Sequence, residues 1–387
     1  MKQKKEKRNR LTAHGILGIL FLLILILFGV LNVLYPDRIF SETENRMLEQ
    51  KPELHMAGIL DGKFMRSFEK YQTDQFFERD GWIRMRTSAD QLLGKNKSND
   101  VYLGKNGQLY EEPASLTDRV WKNLDAIQEF SVQHTQQRHY LMLVPGAAGV
   151  QPEGLPAFAP VEGQMEQLEM IRAYLGDAVQ EIPVEEALKA HKEEYLYYRT
   201  DHHWTTLGAY YAYGQAVQVM ELSSKRSFLP EELTTQFEGT LSARSGYQAE
   251  PDTIFACFPE EEEELVVTYV SEQKKSASLY ASEKLNTKDK YGVFLDGNHP
   301  MVEIRTMAES ERKLLLLKDS YANCFVPFLT DAFREIILID PRYYYGELEE
   351  LIQEKGVTDV LYLYNLNTFL EDDVLHFALE NSSSTEE

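Results

Sequence analysis

Two short stretches hold the residue types that nucleophilic acyl chemistry needs. Residues 198–206 read YRTDHHWTT and set Asp201, His202 and His203 beside a tryptophan and a helix-capping threonine. Residues 314–323 read LLLLKDSYAN and place Ser320 where an apolar run passes into a helical pattern. A serine hydroxyl alone is a weak nucleophile. It needs a base within hydrogen-bond reach, and the base needs an acid to fix its tautomer. Asp201 and His203 suit these roles, because residues two apart in an extended segment share a face. His202 would then point the other way and takes no catalytic role. Ser320 at a strand-to-helix turn would be exposed, beside helix-start N–H groups able to hold an oxyanion.

Spacing alone leaves other readings open. Asp319 and Ser320 serve equally well as helix caps. His203 serves equally well as a core histidine, and Asp201 with His203 as a structural pair. Asp201, His202 and His203 form a conceivable metal set, but adjacent histidines rarely reach one ion. No other dense His/Asp cluster accompanies them, so no metal is expected. With no GxGxxG and no P-loop, no cofactor is expected either.

Such residues must be positioned by a scaffold. Apolar runs over 139–144, 179–184, 313–318, 335–339 and 359–364 read as buried strands. Helical patterns over 114–134, 165–175, 207–220, 321–331 and 347–355 alternate with them. This alternation predicts an α/β fold with a doubly wound parallel sheet, where function collects past the carboxyl ends of the strands. Residues 101–110 contain an Asn-Gly turn between apolar runs, a hairpin signal. Residues 222–300, with a charge run at 260–264 and short alternating segments, read as a β-rich insertion. The main domain is expected over 101–380, with a disordered tail over 381–387. Cys257 and Cys324 lie in apolar surroundings and read as buried free thiols.

The ends differ in charge. Residues 2–10 carry Lys2, Lys4, Lys5, Lys7, Arg8 and Arg10, whereas the whole chain stands at −22. So acidic a chain will not seek nucleic acid through bulk charge. Residues 16–34 are almost wholly apolar, about the 20 residues that a bilayer core requires. The preceding basic segment, 1–15, predicts a cytoplasmic N-terminus, a single-pass anchor at 16–34 and an extracytoplasmic remainder at the cell membrane. A cleaved signal peptide is the competing reading, but the run is long for one and no small-x-small site follows. Residues 35–100 read as a helical stalk.

Four pieces, FSETENRML (40–48), DQFFERDGW (74–82), RTDHHWTTLGAY (199–210) and LLLLKDSYAN (314–323), resemble the DHHW protein family. More distantly they are similar to alginate O-acetylation proteins with an SGNH-hydrolase-like domain. The resemblance implies an SGNH-hydrolase-like α/β domain with Asp201 as orienting acid, His203 as base and Ser320 as nucleophile. It also implies acyl transfer onto a cell-envelope glycan, with a membrane-bound O-acyltransferase as a possible acyl supplier. An esterase on the same glycan is the close variant. A glycan-binding or scaffold component without chemistry is the alternative. The chain lacks the early Gly-Asp-Ser block of simple SGNH esterases, so oxyanion donors are assigned by position only: the N–H groups of Ser320 and Tyr321, with Arg342 and Asn365 past the next strands. Trp204, Tyr210 and 343–345 offer aromatic surfaces for sugar stacking, or else core packing.

Overall fold

The computed structural model describes residues 2–41, 46–159, 163–223, 226–260 and 264–380. The expected disordered tail lies outside them, as does most of the 260–264 charge run. The chain divides into two compact units, Met1–Ala89 and Asp90–Glu387.

The first unit begins with helix α1 (Lys2–Leu34), followed by α2 (Lys63–Asp74) and the start of α3 (Arg79–Leu92). The stretch His14–Leu34 of α1 is long and apolar enough to cross a membrane, with mean hydropathy 3.0. The buried pair Asp74 and Gln75 holds the preceding segment in place. Gln75 accepts from the Arg38 N–H at 2.9 Å and donates to the carbonyls of Arg38 and Glu49 at 2.8 and 3.0 Å. Asp74 accepts from the Glu49 N–H at 2.9 Å. Two buried side chains thus satisfy backbone groups that no regular sheet serves.

The second unit is built on an eight-stranded mixed sheet. Its strands in chain order are β1 (Arg138–Val144), β2 (Val179–Glu181), β3 (Val266–Tyr269), β4 (Lys274–Ser276), β5 (Met301–Arg305), β6 (Lys313–Lys318), β7 (Glu335–Ile339) and β8 (Asp359–Asn365). Their spatial order is β4-β3-β5-β7-β6-β8-β1-β2. The five strands β7, β6, β8, β1 and β2 pair in parallel, and β5, β3 and β4 add antiparallel neighbours at one edge. Side chains alternate between faces along a strand. Leu314 and Leu316 of β6 accordingly enter one core and Leu315 and Leu317 the other. A sheet covered on both faces explains why β6 reads as an unbroken leucine run. Helix α4 (Asp118–Gln133) packs on the second of these cores, and α5 (Thr206–Val219) on the first.

One local expectation changes. The helix expected over 321–331 is a pair of short 3-10 turns, Ser320–Cys324 and Val326–Leu329. Pro327 lacks an N–H and disfavours α geometry in the residue before it, so a continuous helix cannot run through. Segment 222–300, expected to be β-rich, supplies a separate hairpin, Phe228–Phe237 with Asp252–Pro259, and the strands β3 and β4 that extend the main sheet. The Asn-Gly hairpin forms between Val101–Leu103 and Leu109–Glu111, with Asn106 and Gly107 both at positive φ. Both cysteines are buried free thiols.

At the amino ends of the parallel strands, buried Asp359 accepts from Arg312 Nη2 at 2.6 Å, Arg312 Nε at 3.1 Å and Arg138 Nη2 at 3.0 Å. Removing one partner of such a buried set leaves charge unmatched. Asp359→Ala should therefore lower unfolding free energy by about 3 kcal/mol. Because the functional ends of the strands lie opposite, it should leave Ser320 reactivity per folded molecule unchanged. Chemical denaturation followed by circular dichroism would check the first point; a loss under about 1 kcal/mol would contradict it.

Candidate active site

Ser320 follows β6 directly, and its place is set by the residue before it. The buried Asp319 carboxylate accepts from the Tyr321 N–H and from the Asn365 N–H, each at 2.9 Å. Asn365 ends the neighbouring strand β8, so one carboxylate ties the Ser320 turn to the sheet. Burial pushes Asp319 above its ordinary carboxylate value, against the pull of Arg342 and these donors.

The loop that brings Asp201 and His203 is held by a second buried carboxylate. Asp252 accepts from Tyr195 Oη at 2.5 Å, the Arg199 N–H at 2.9 Å, the Thr200 N–H at 2.7 Å and Thr200 Oγ1 at 2.6 Å. Tyr197 and Trp204 close the loop as an isolated bridge. Trp204 is fully buried and donates its indole N–H to the Tyr321 carbonyl at 2.9 Å. Tyr321 Oη donates to the His202 carbonyl. The loop and the Ser320 turn are therefore fastened at two points besides the site itself.

Between them runs a continuous hydrogen-bonded line. Asp201 Oδ1 lies 2.5 Å from His203 Nδ1, and His203 Nε2 lies 2.7 Å from Ser320 Oγ. Asp201 and His203 are almost fully buried and Ser320 half-buried. The pairing arises differently from the expectation. Asp201 and His203 are not on an extended strand: Asp201 Oδ1 also accepts the His203 N–H at 3.0 Å, closing an Asx turn. The turn brings the His202 ring to 4.0 Å from that of His203, centroid to centroid, instead of to the opposite side. The other carboxylate oxygen of Asp201 accepts from Thr240 N–H at 2.8 Å and Thr240 Oγ1 at 3.0 Å.

Electrostatics follow from burial. Desolvation would raise Asp201, but the neighbouring His203 and His202 and the donated hydrogen bonds outweigh it and hold the carboxyl well below its usual range. Burial pushes His203 down from 6.5 to about 4, aided by His202 and opposed by Asp201. The imidazole is thus neutral at pH 7, with Nδ1–H on Asp201 and the Nε2 lone pair facing the serine hydroxyl. Tyr291 stacks on the His203 ring, centroids 3.8 Å apart and 15° from parallel, and donates to the Ser320 carbonyl at 3.3 Å.

The remaining sequence candidates are otherwise engaged. The Tyr321 N–H is taken by Asp319, so it is not an open oxyanion donor. Arg342 gives its fork to buried Asp340 at 2.8 and 2.6 Å. Asn365 donates to the Val144 carbonyl at 3.2 Å and caps the next helix through Thr368. Each is satisfied locally because buried polar groups must find partners. The Ser320 N–H makes no hydrogen bond among the described residues. Ligand atoms of Asp201, His202 and His203 lie within 4.8 Å of one another. They are closed by hydrogen bonds, His202 Nδ1 facing Thr240 Oγ1 at 2.8 Å. Trp204 is core, whereas Tyr210, Tyr343 and Tyr345 are exposed. A polar cleft of about 270 Å³, lined by His202, Glu111, Arg342, Asn367, Thr368 and Glu371, opens beside the loop.

A family model described as DHHW protein matches residues 135–339, more than half the chain. The chain belongs to the DHHW protein family. A DHHW family protein from Eubacterium siraeum has a similar structure, with TM-score 0.64 and 26% identity over 74% of this chain and 96% of that one. Bacillus cereus PatB1 with a sulfonyl adduct follows at TM-score 0.61 and 20% identity, over 72% of this chain and 97% of that one. The O-acetyltransferase domain of Pseudomonas putida AlgJ, at TM-score 0.46 and 17% identity over 73% and 99%, is a looser likeness. No curated protein matches the chain. The SGNH-hydrolase-like α/β fold implied by the resemblance is borne out.

In this DHHW chain the four letters have four tasks. Asp201 holds the imidazole, His202 lines the cleft, His203 faces the serine and Trp204 anchors the loop in the core. Asp252, Thr240, Gly239 and Tyr291 were not visible as site residues, because isolated residues distant in sequence carry no local motif. Gly239 is required by close approach: a Cβ there would lie 2.2 Å from Asp201 Cβ and 2.7 Å from its Cα. Gly239→Ala should displace Asp201 and reduce the rate at which Ser320 reacts with a fluorophosphonate by about 100-fold. Unchanged labelling by mass spectrometry would rule out this dependence.

Proposed function

We propose that this protein is an extracytoplasmic serine O-acyltransferase, tethered to the membrane by α1 and acting on hydroxyl groups of a cell-envelope glycan. The observation that carries the reading is the unbroken hydrogen-bonded line Asp201–His203–Ser320. His203 Nε2 takes the Ser320 proton as Oγ attacks an acyl carbonyl. The tetrahedral oxyanion gathers beside the Ser320 N–H, which is uncommitted. Collapse expels the donor's leaving group, protonated by His203, and leaves an acyl-serine. A sugar hydroxyl then enters from the side of the cleft, loses its proton to His203 and takes the acyl group, while His203 returns the proton to the departing Ser320 Oγ; water in its place would make the protein an esterase. The open cleft that His202 lines suits a polymer, whose chain must pass without full enclosure. The Bacillus cereus protein of similar fold was captured with a sulfonyl adduct, and a sulfonyl sulfur is an electrophile that an activated hydroxyl attacks. A membrane-bound O-acyltransferase supplying the donor is part of the proposal.

Incubation of the outer domain with p-nitrophenyl acetate should yield a single acetyl adduct on Ser320, seen by peptide mass spectrometry. Ser320→Ala should carry none, and His203→Ala should acylate at least about 100-fold more slowly. A folded wild-type domain without adduct would favour a glycan-binding component instead.

The pH dependence has a defined sign. His203 must be neutral to act, and its value lies below the ordinary 6.5, at about 4. Acylation should therefore stay nearly level from pH 7.5 down to about pH 6 and fall only as the imidazole protonates below that. An acid limb centred above pH 6.5 in stopped-flow acylation would contradict the burial argument.

A further inference from the structure

The last two turns of α1 are covered on one side. Phe28, Leu31, Asn32 and Tyr35 are half-buried while Gly29, Val30, Val33 and Leu34 are exposed. That spacing of three, four and seven residues is one helix face. The start of α3 covers it. Trp82 meets Phe28 edge-on, with centroids 5.5 Å apart, and Phe77 meets Tyr35 likewise at 5.3 Å. The Phe77 N–H donates to Asn32 Oδ1 at 2.7 Å, so the one strongly polar side chain in the apolar run has its oxygen satisfied. In hydrocarbon an unsatisfied amide would be costly.

Depth follows from helix geometry. Phe28 precedes Leu34, the end of the apolar stretch, by six residues, or about 9 Å at 1.5 Å per residue. A ring in contact with Phe28 shares that depth. Trp82 is 39% exposed and Met85, one turn on, 61% exposed. Phe76 is exposed as well, and Arg84 and Arg86 flank the patch on the same exposed turns.

We propose that segment 76–86 is a second membrane contact, lying in the interfacial layer of the leaflet from which α1 emerges. Phe76, Trp82 and Met85 rest against acyl chains, and Arg84 reaches a lipid phosphate. The occupant is lipid because the patch is continuous with the bilayer-length span and reaches back alongside it. Tryptophan and arginine suit this zone, one amphipathic and the other able to pair with phosphate. The inference rests on α1 crossing a bilayer but not on the chemistry at Ser320.

The test uses the full chain in phosphatidylcholine–phosphatidylglycerol vesicles containing lipids brominated at shallow or deep acyl positions. The difference in fluorescence between wild type and Trp82→Phe isolates Trp82 from Trp121 and Trp204. Trp82 emission should be blue-shifted and quenched by shallow bromines about twofold more than by deep ones. A reporter made by Phe28→Trp in the Trp82→Phe background tests the span separately. Quenching of that reporter with none of Trp82 overturns the proposal while leaving the anchor intact. A blue shift of Trp82 without bromine quenching assigns the patch to a protein and also overturns it. If neither ring is quenched, the membrane span fails and the proposal with it.

Discussion

A carboxylate removed from water is stable only where donors replace the water, and this requirement organises the site. Asp201 meets it with four donors: the N–H and Nδ1–H of His203 and the N–H and hydroxyl of Thr240. Hydrogen bonds to a charged group are each worth about 1.5–3 kcal/mol, and an unmatched buried charge costs several. The arrangement is therefore all or nothing: a rotated imidazole would abandon the carboxylate. The same principle recurs at Asp252, which freezes the loop carrying Asp201, and at Asp319, which freezes the turn carrying Ser320. Each carboxylate bridges segments distant in sequence, so backbone positions that no regular element governs become well determined.

The sheet supplies the rest of the positioning. Because β6 is covered on both faces, its register cannot slip without moving leucines between two distinct cores. Ser320 inherits that rigidity, emerging at the carboxyl end of a strand flanked by two parallel neighbours. The His203 loop has no such strand beneath it. It depends on Trp204 in the core, on the Asp252 hydrogen bonds and on Tyr291 stacked over the imidazole.

Much of this was legible in the sequence. Strong apolar runs such as 313–318 and 335–339 match strands β6 and β7 end for end, since burial on both faces leaves an unmistakable pattern. The residues Asp201, His203 and Ser320 could be picked out by chemical type and local context, and the structure brings their polar atoms together. Asp201 and His203 face each other through an Asx turn and not through extended spacing, because the Asp201 side chain bonds the backbone two residues on. The apolar residues crowding 321–331 suggest a helix and mask the local signal of Pro327, which breaks the segment into two 3-10 turns. Oxyanion donors were beyond reach: whether an N–H is free depends on what else folds against it, and Asp319 claims the one at Tyr321. Gly239 and Asp252 matter through contacts across dozens of residues, which no window of sequence can display.

His203 and Ser320 stand 117 residues apart in the chain. Bringing them together requires the sheet, the loop and the Asp252 hairpin to be in place, and closing so long a loop is entropically repaid only by the finished core. A serine without its imidazole is an ordinary alcohol. The unfolded polypeptide thus cannot hold that imidazole against the hydroxyl, and the pair meets only once the tertiary structure is complete. On the proposed acyl-transfer reading, folding itself is the activating step.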